Sequence, residues 1–412
     1  MSLSELPTEL TRTIAGHLEL RDQLVLCRTN SRMQAICVQW IYRILILDDL
    51  VQFIRCCETI IGRPEAALSV WELKSHCLPS YALKSFYTTL RSATTKMENL
   101  RVITIDSLHL FRSIADVVFP QLTDCNIPLL LDSADSYSFL RRNPTIESIV
   151  IITIQSGQFI SNNIYHIQPV HMPKLRRFVG PEIAACAVVP GSPLSTLTIL
   201  WGPRPAMGYS RGLTAAASST ADLCELNHII TSWDPVLLQA IAEYTPRIEC
   251  LNIQGFSLPG TPEKEDFLSA MDTTLRSLTC LAQLIVSDNT IFDRIADVLE
   301  AEFNRVRRWG DICPTLERVC LSGPWARWEG LWLPGKCCTN EPESIECLKW
   351  LIKKIVTSPE LPSLYRTLGN AFAGVVGMKV LEEAVKRGEA VPAFDILRTE
   401  GGDTVISFPS DP

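Results

Sequence analysis

The sequence predicts an α/β protein. A short three-helix segment opens it, an irregular solenoid of short parallel strands alternating with helices follows, and capping helices close it. Three observations lead there. Apolar residues in the first fifty positions recur at helical intervals. From Leu68 onward an apolar-x-x-apolar-x-apolar triplet returns about every 20 to 35 residues, with helical patterns between. After Pro334-Gly335 the triplets stop and amphipathic stretches take over. The expected divisions are 1–47, 48–335 with a long loop at 202–220, and 336–412 as a helical cap and tail.

Composition narrows the function. The chain has 412 residues, 47% hydrophobic and 20% charged, enough to build a buried core. Its net charge of −7 leaves no basic surplus for phosphate, so nucleic acid is not an expected partner. No apolar run approaches the roughly 18 residues a membrane span needs. The fifteen cysteines are odd in number, the chain is too long to need disulfide staples, and Met1-Ser2-Leu3-Ser4-Glu5 lacks a signal-peptide pattern. A reducing compartment, cytoplasm and/or nucleus, is expected, with no obligatory disulfide.

The first helix begins at Leu6-Pro7-Thr8-Glu9-Leu10. Proline suits a first turn, and Glu9 suits the positive end of the helix dipole. Leu6, Leu10, Ile14 and Leu18 follow at steps of four and form a slowly winding apolar band. A second helix runs near Arg21 to Cys27 with Leu24 and Leu26. Asn30 or Ser31 caps a third, whose face is Met33, Ile36, Cys37, Trp40, Ile41 and Ile44. Helices this short bury little surface alone, so part of the apolar band is meant for something else.

The run from Leu6 to Leu47 resembles an F-box. Leu6-Pro7, Glu9-Leu10, Ile14, Leu18, Leu24 and Leu26, Arg32-Met33 and Trp40 stand where that family's pattern has them. Thr29 replaces a usual aliphatic residue and Met33 a usual aromatic. The resemblance implies docking to a Skp-family adaptor, and through it to a cullin–RING ubiquitin ligase. Leu6, Pro7, Leu10, Ile14, Leu18 and Leu24 would form the contact.

The triplets begin at Leu68, Leu100, Leu122, Ile146, Leu194, Ile248, Leu281 and Leu316. Imperfect ones begin at Leu175, where Gly180 breaks the third slot, and at Leu223, where His228 does. In five of these ten a proline stands two residues ahead: Pro120, Pro144, Pro173, Pro246 and Pro314. Proline cannot continue a helix and starts an extended segment. Helices are expected at Phe111–Val118, Pro235–Tyr244 and Ile291–Trp309, the last ended by Gly310. The pattern is similar to an irregular leucine-rich repeat, and the whole layout resembles fungal-type F-box proteins with such a domain. An ordinary α/β domain with a parallel sheet is the alternative.

Gly202 to Thr220, rich in Pro, Gly and small residues, reads as the long loop. Ser344–Val356 and Asn370–Arg387 read as capping helices. Three tryptophans, Trp325, Trp328 and Trp332, crowd around Arg327 just after the last triplet. In a helical turn they would share one side, either plugging the solenoid's open end or anchoring a target.

No catalytic, cofactor-binding or metal-binding residue is expected. Cys56-Cys57 and Cys337-Cys338 are adjacent pairs rather than zinc-type spacings, and no Walker loop, GxGxxG or G-x-S-x-G occurs. The sequence reads as the substrate-recognition adaptor of an SCF-type E3 ligase: not an enzyme, binding a Skp-family adaptor at one end and an unidentified protein target at the other. The alternatives are a ligase-independent repeat scaffold and a thiol-dependent α/β enzyme.

Overall fold

Three helices open the first of two units, Met1–Ile248 and Glu249–Pro412. The computed structural model describes residues 6–77, 83–129, 134–153, 168–202, 208–256, 262–288, 296–321, 324–328 and 331–334, and farther on 349–350, 353–354, 375–376, 383, 387, 395–398 and 404–407. Helix α1 (Thr8–His17) starts just after Pro7, whose carbonyl accepts the Thr11 N–H at 3.0 Å. Helix α2 (Leu20–Cys27) buries Gln23, whose amide donates to the Ala15 and Leu18 carbonyls at 3.0 and 2.9 Å. It thereby adds a donor at the end of α1, where the Ala15 carbonyl also accepts the Leu18 N–H at 3.3 Å. Helix α3 (Ser31–Ile41) is capped by the Asn30 carboxamide oxygen, which accepts the Met33 N–H at 2.9 Å. Ala15, Met33, Ile36 and Cys37 form the small core, with Leu26, Cys27, Trp40 and Ile41 around it.

The helical face expected to run through Ile44 stops at Ile41. Ile44 opens strand β1 (Ile44–Leu47), which exposes Ile44 and Ile46 and buries Leu45 and Leu47 in the two-residue period of a strand. The first repeat strand therefore lies inside the segment expected to be wholly helical.

The chain then alternates: α4 (Leu50–Gly62), α5 (Pro64–Ser69), β2 (Glu72–Ser75), α6 (Lys84–Thr94), β3 (Val102–Ile105), α7 (Leu108–Ile114), β4 (Asp124–Leu129), α8 (Ala134–Arg142), β5 (Ser148–Thr153), β6 (Arg177–Pro181), α9 (Glu182–Val188), β7 (Thr196–Leu200), α10 (Tyr209–Ala217), β8 (Glu225–Ile230) and α11 (Pro235–Tyr244). Each strand from β1 to β8 pairs in parallel with the next in the chain. The order never reverses, as it would in a doubly wound sheet, so the first unit is a leucine-rich-repeat-like solenoid. Leu45, Leu73, Ile103, Cys125, Ile149, Phe178, Leu197 and Leu226 stand in one row across it, all buried.

Two backbone devices keep this register. The carbonyl of the residue before each strand takes two N–H groups from the next repeat. Arg43 accepts Trp71 and Glu72, Trp71 accepts Arg101 and Val102, and the series continues to Ser195, which accepts Cys224 and Glu225. The prolines ahead of the triplets occupy the second place of a turn closed from first to fourth residue. Phe119 accepts Leu122 at 3.2 Å, Met172 accepts Leu175 at 3.2 Å, and Thr245 accepts Ile248 at 3.3 Å.

The two imperfect slots have physical reasons. A Cβ on Gly180 would meet Phe178 Cζ at 3.0 Å and Ile151 Cβ at 3.1 Å, so the Phe178 ring already fills that place. His228 is buried and accepts the Trp201 indole N–H on Nδ1 at 2.8 Å. The triplet at Leu68 is misplaced by two residues: the register runs Val70, Leu73, Ser75. The expected loop at 202–220 contains α10, because Tyr209, Leu213, Ala215 and Ala216 form a buried helical face and Gly212 lets Trp201 approach. Helix α7 begins and ends some residues earlier than expected.

In the second unit β9 (Cys250–Gly255), α12 (Pro262–Leu275), β10 (Gln283–Asp288), α13 (Ala296–Ile312) and β11 (Arg318–Cys320) continue the alternation, the three strands parallel and in chain order. The parallel run ends in the antiparallel strands β12 (Pro324–Trp328) and β13 (Leu331–Pro334). Gly310 lies within α13 and does not end it; a Cβ there would strike the Trp332 indole nitrogen. Arg305 and Arg308 of α13 pair with Glu265 at 2.6 Å and Asp272 at 3.1 Å on α12.

A small sheet follows: β14 (Val375–Val376) pairs in parallel with β16 (Thr404–Ser407), and β15 (Asp395–Arg398) antiparallel with β16. Residues 375–376 were expected inside the capping helix at 370–387, so a strand replaces helix there; most of that stretch, and most of 344–356, lies outside the described residues.

Candidate docking surfaces

The three N-terminal helices separate two kinds of apolar residue. Those of α3 face inward. Those of α1 and α2 in large part face out: Leu10 is 53% exposed, Ile14 38% and Leu24 42%. Pro7 is exposed, while Leu6 and Leu18 are half-buried at the two ends of α1. The Arg32 guanidinium donates to the Leu6 carbonyl and, at 3.2 Å, to Thr8 Oγ1, fixing where α1 starts. Leu20 and Val25 join the exposed face although the sequence reading did not single them out. The signal was available in α2, where polar Gln23 points inward and apolar neighbours point out.

The face formed by alternate strand residues of the first unit is a second surface. Ile46, Lys74, Thr104, Asn126, Val150, Val179, Thr198 and Asn227 stand in one row between the buried ones, and most are half-buried. Lys74 pairs with Glu72 at 2.6 Å. Such a face offers mixed apolar and hydrogen-bonding chemistry to a protein partner.

The tryptophan segment differs from its expected form. It is a hairpin, so alternation, not helical spacing, decides which residues share a side. Trp332 is 4% exposed and packs on Gly310, so it cannot present its ring to a target. Arg327 is half-buried, and its guanidinium donates to the Pro314 carbonyl at 2.9 Å. Trp325 and Trp328 lie on β12; their side chains fall outside the described residues.

Three thiols of the first unit are poor nucleophiles. Burial pushes Cys56 and Cys186 up to about 11, and burial with the neighbouring Cys56 and Glu58 pushes Cys57 up to about 12. They stay protonated at neutral pH. Cys337 and Cys338 lie outside the described residues.

No protein-family model matches this sequence, and no curated protein does. Among solved structures that resemble it is the leucine-rich repeat-containing protein LegL7 from Legionella pneumophila. That match has 13% identity and a TM-score of 0.40, covering 75% of this chain and 89% of that one. Among the described residues no helix is long and apolar enough to cross a membrane.

Proposed function

We propose that this chain is the substrate-recognition adaptor of an SCF-type cullin–RING ubiquitin ligase. The outer face of α1 and α2 docks a Skp-family adaptor, and the strand face of the first unit holds a protein target. The reading rests on one observation: Leu10, Ile14, Leu20, Leu24 and Val25 are turned to solvent by two short helices whose inner side α3 already seals. Exposed apolar residues grouped in this way mark an interaction site. The resemblance of Leu6–Leu47 to an F-box supplies the identity of the partner.

The chain itself performs no chemistry in this reading, and it uses no cofactor and binds neither nucleic acid nor membrane. It raises the effective concentration of the target's lysines near a charged ubiquitin carrier. Titration of the full chain with a purified Skp-family adaptor by calorimetry tests the reading. Saturable binding that Leu10→Ala with Ile14→Ala removes is the expected result; no heat at tens of micromolar rejects it.

One observation favours a second reading, a ligase-independent interaction scaffold. Helix α3 lies against α5, as a solenoid cap would. The same titration separates the two, since a cap has no use for the adaptor.

A further inference from the structure

A half-open groove of ≈ 590 Å³ lies where α1 and α3 meet α5 and the start of β2. Its lining includes Arg12, Trp40, Arg43, Glu65, Leu68 and Trp71. The volume falls in the range of ligand sites. It belongs to neither the outer face of α1 and α2 nor the strand face.

Arg43 is built into this groove. Its guanidinium carbon sits 4.0 Å from the centre of the Trp71 ring and 4.9 Å from that of Trp40. On Trp71 the Arg101 guanidinium is stacked as well, at 4.4 Å. These cation–π contacts fix the plane of the Arg43 group but use none of its N–H donors. Neither the Arg43 nor the Arg12 guanidinium makes a hydrogen bond or ion pair with a described residue. A half-buried, oriented guanidinium with idle donors matches a planar oxyanion that can take two of them at once.

Charge and wall chemistry narrow the ligand. Among the lining residues, which do not include Arg101, Arg12 and Arg43 against Glu65 leave one positive charge in surplus, which suits a single carboxylate better than a doubly charged phosphate. Leu68 and Trp71 remain partly open to solvent beside Arg43 and provide apolar wall. We propose that this groove binds a segment of another protein in which a glutamate or aspartate adjoins a bulky apolar residue. The carboxylate lies on Arg43 with Arg12 beside it, and the apolar neighbour rests on Leu68 and Trp71. The site does not depend on the ligase reading, because no residue of the outer α1–α2 face takes part.

The test is fluorescence polarisation with the full chain and three labelled, capped pentapeptides. Their centres are Leu-Glu-Leu, Leu-Gln-Leu and Leu-phosphoserine-Leu. The glutamate peptide is expected to bind about tenfold or more tighter than the glutamine peptide, and tighter than the phosphoserine peptide. Arg43→Lys keeps the charge but loses the flat fork, and should weaken the glutamate peptide by about tenfold. Arg12→Gln, at an exposed position that leaves the fold intact, should weaken it by roughly threefold. Equal binding of the glutamate and glutamine peptides, or no glutamate-peptide binding at millimolar concentration, overturns the site. A preference for phosphoserine overturns the carboxylate assignment. Wild-type affinity in Arg43→Lys overturns the bidentate role.

Discussion

The α1–α2 pair and the strand repeats of the first unit use apolar residues in opposite ways. Two short helices expose Leu10, Ile14, Leu20, Leu24 and Val25. Between Arg101 and Ile248 the large apolar side chains exposed among the described residues are only Val118 and Val236. Both regions are rich in leucine and isoleucine, so composition does not separate them. The repeats can stack, and each buries its row of side chains against the next. The helices have a core of four buried residues, and their remaining apolar surface faces outward. From Arg101 to Ile248 an apolar residue therefore contributes chiefly to folding, while the exposed ones on α1 and α2, like Ile44, Ile46, Leu68 and Trp71 in the first repeats, are available for binding.

The sharpest way to break that contrast is at Phe178, which is fully buried in the repeat row. Phe178→Ala should destabilise the first unit by about 3–5 kcal/mol, since it removes a large ring and leaves the slot at Gly180 unfilled too. Chemical denaturation followed by circular dichroism would record it. An unchanged midpoint would mean that the row is not the core.

Leu10→Ala with Ile14→Ala is the matching experiment on the helices. Stability should change by less than about 1 kcal/mol, because both residues are exposed and neither belongs to the four-residue core. Adaptor affinity should fall about a hundredfold, on the order of 3 kcal/mol. A large loss of stability with retained binding would reverse the roles assigned to the two regions.

Legibility in the sequence follows the same division. The triplets at Leu100, Leu122, Ile146, Leu175, Leu194, Leu223, Ile248, Leu281 and Leu316 fall in their true register, because a buried strand with one fixed partner on each side leaves its period in the chain. The misplaced triplet at Leu68 has Ser75 in its true third slot, so no apolar mark was present to be read. Helix α10 was missed because Gly212 and the alanines around it look like loop composition. Only the Trp201 ring above them gives the glycine its reason. Of the candidate sites, the α1 band was visible as spacing. The groove was not, because Arg12, Arg43 and Trp71 come from three separate elements with no shared motif.

Acid should act on the repeats more than on the helices. Burial lowers His228 to about 3, whereas an unfolded histidine titrates near 6.5. Between those values the unfolded chain binds a proton that the folded chain does not. Stability is therefore lost as pH falls from about 6.5 toward 3, on the order of 2–3 kcal/mol by pH 4.5. Replacing His228 with Gln keeps a neutral acceptor near Trp201 and removes the titration. The difference in melting temperature between pH 7 and pH 4.5 should shrink in the variant; an identical drop in both proteins would place the acid sensitivity elsewhere.

The smallest expected effects come from two glycines that look alike in sequence terms. Gly16 on α1 and Gly180 on β6 each stand where an aromatic ring occupies the space of a Cβ. At Gly16 the obstacle is the outer edge of Trp40, 2.7 Å away; at Gly180 it is Phe178 and Ile151 at 3.0 and 3.1 Å. Distance alone would rank Gly16→Ala as the worse change. Burial argues the reverse. Phe178 and Ile151 are fully enclosed and cannot yield, so Gly180→Ala should cost about 1–2 kcal/mol. Trp40 is only half-buried and can swing outward, and alanine is worth up to about 1 kcal/mol over glycine inside a helix. Gly16→Ala should therefore leave the melting temperature nearly unchanged while displacing the Trp40 ring from beside Arg43. Weaker binding of the glutamate peptide at constant stability is the expected signature. A melting temperature that drops further for Gly16→Ala than for Gly180→Ala would show that the N-terminal helices are packed as rigidly as the repeats, and the contrast between the two regions would fail.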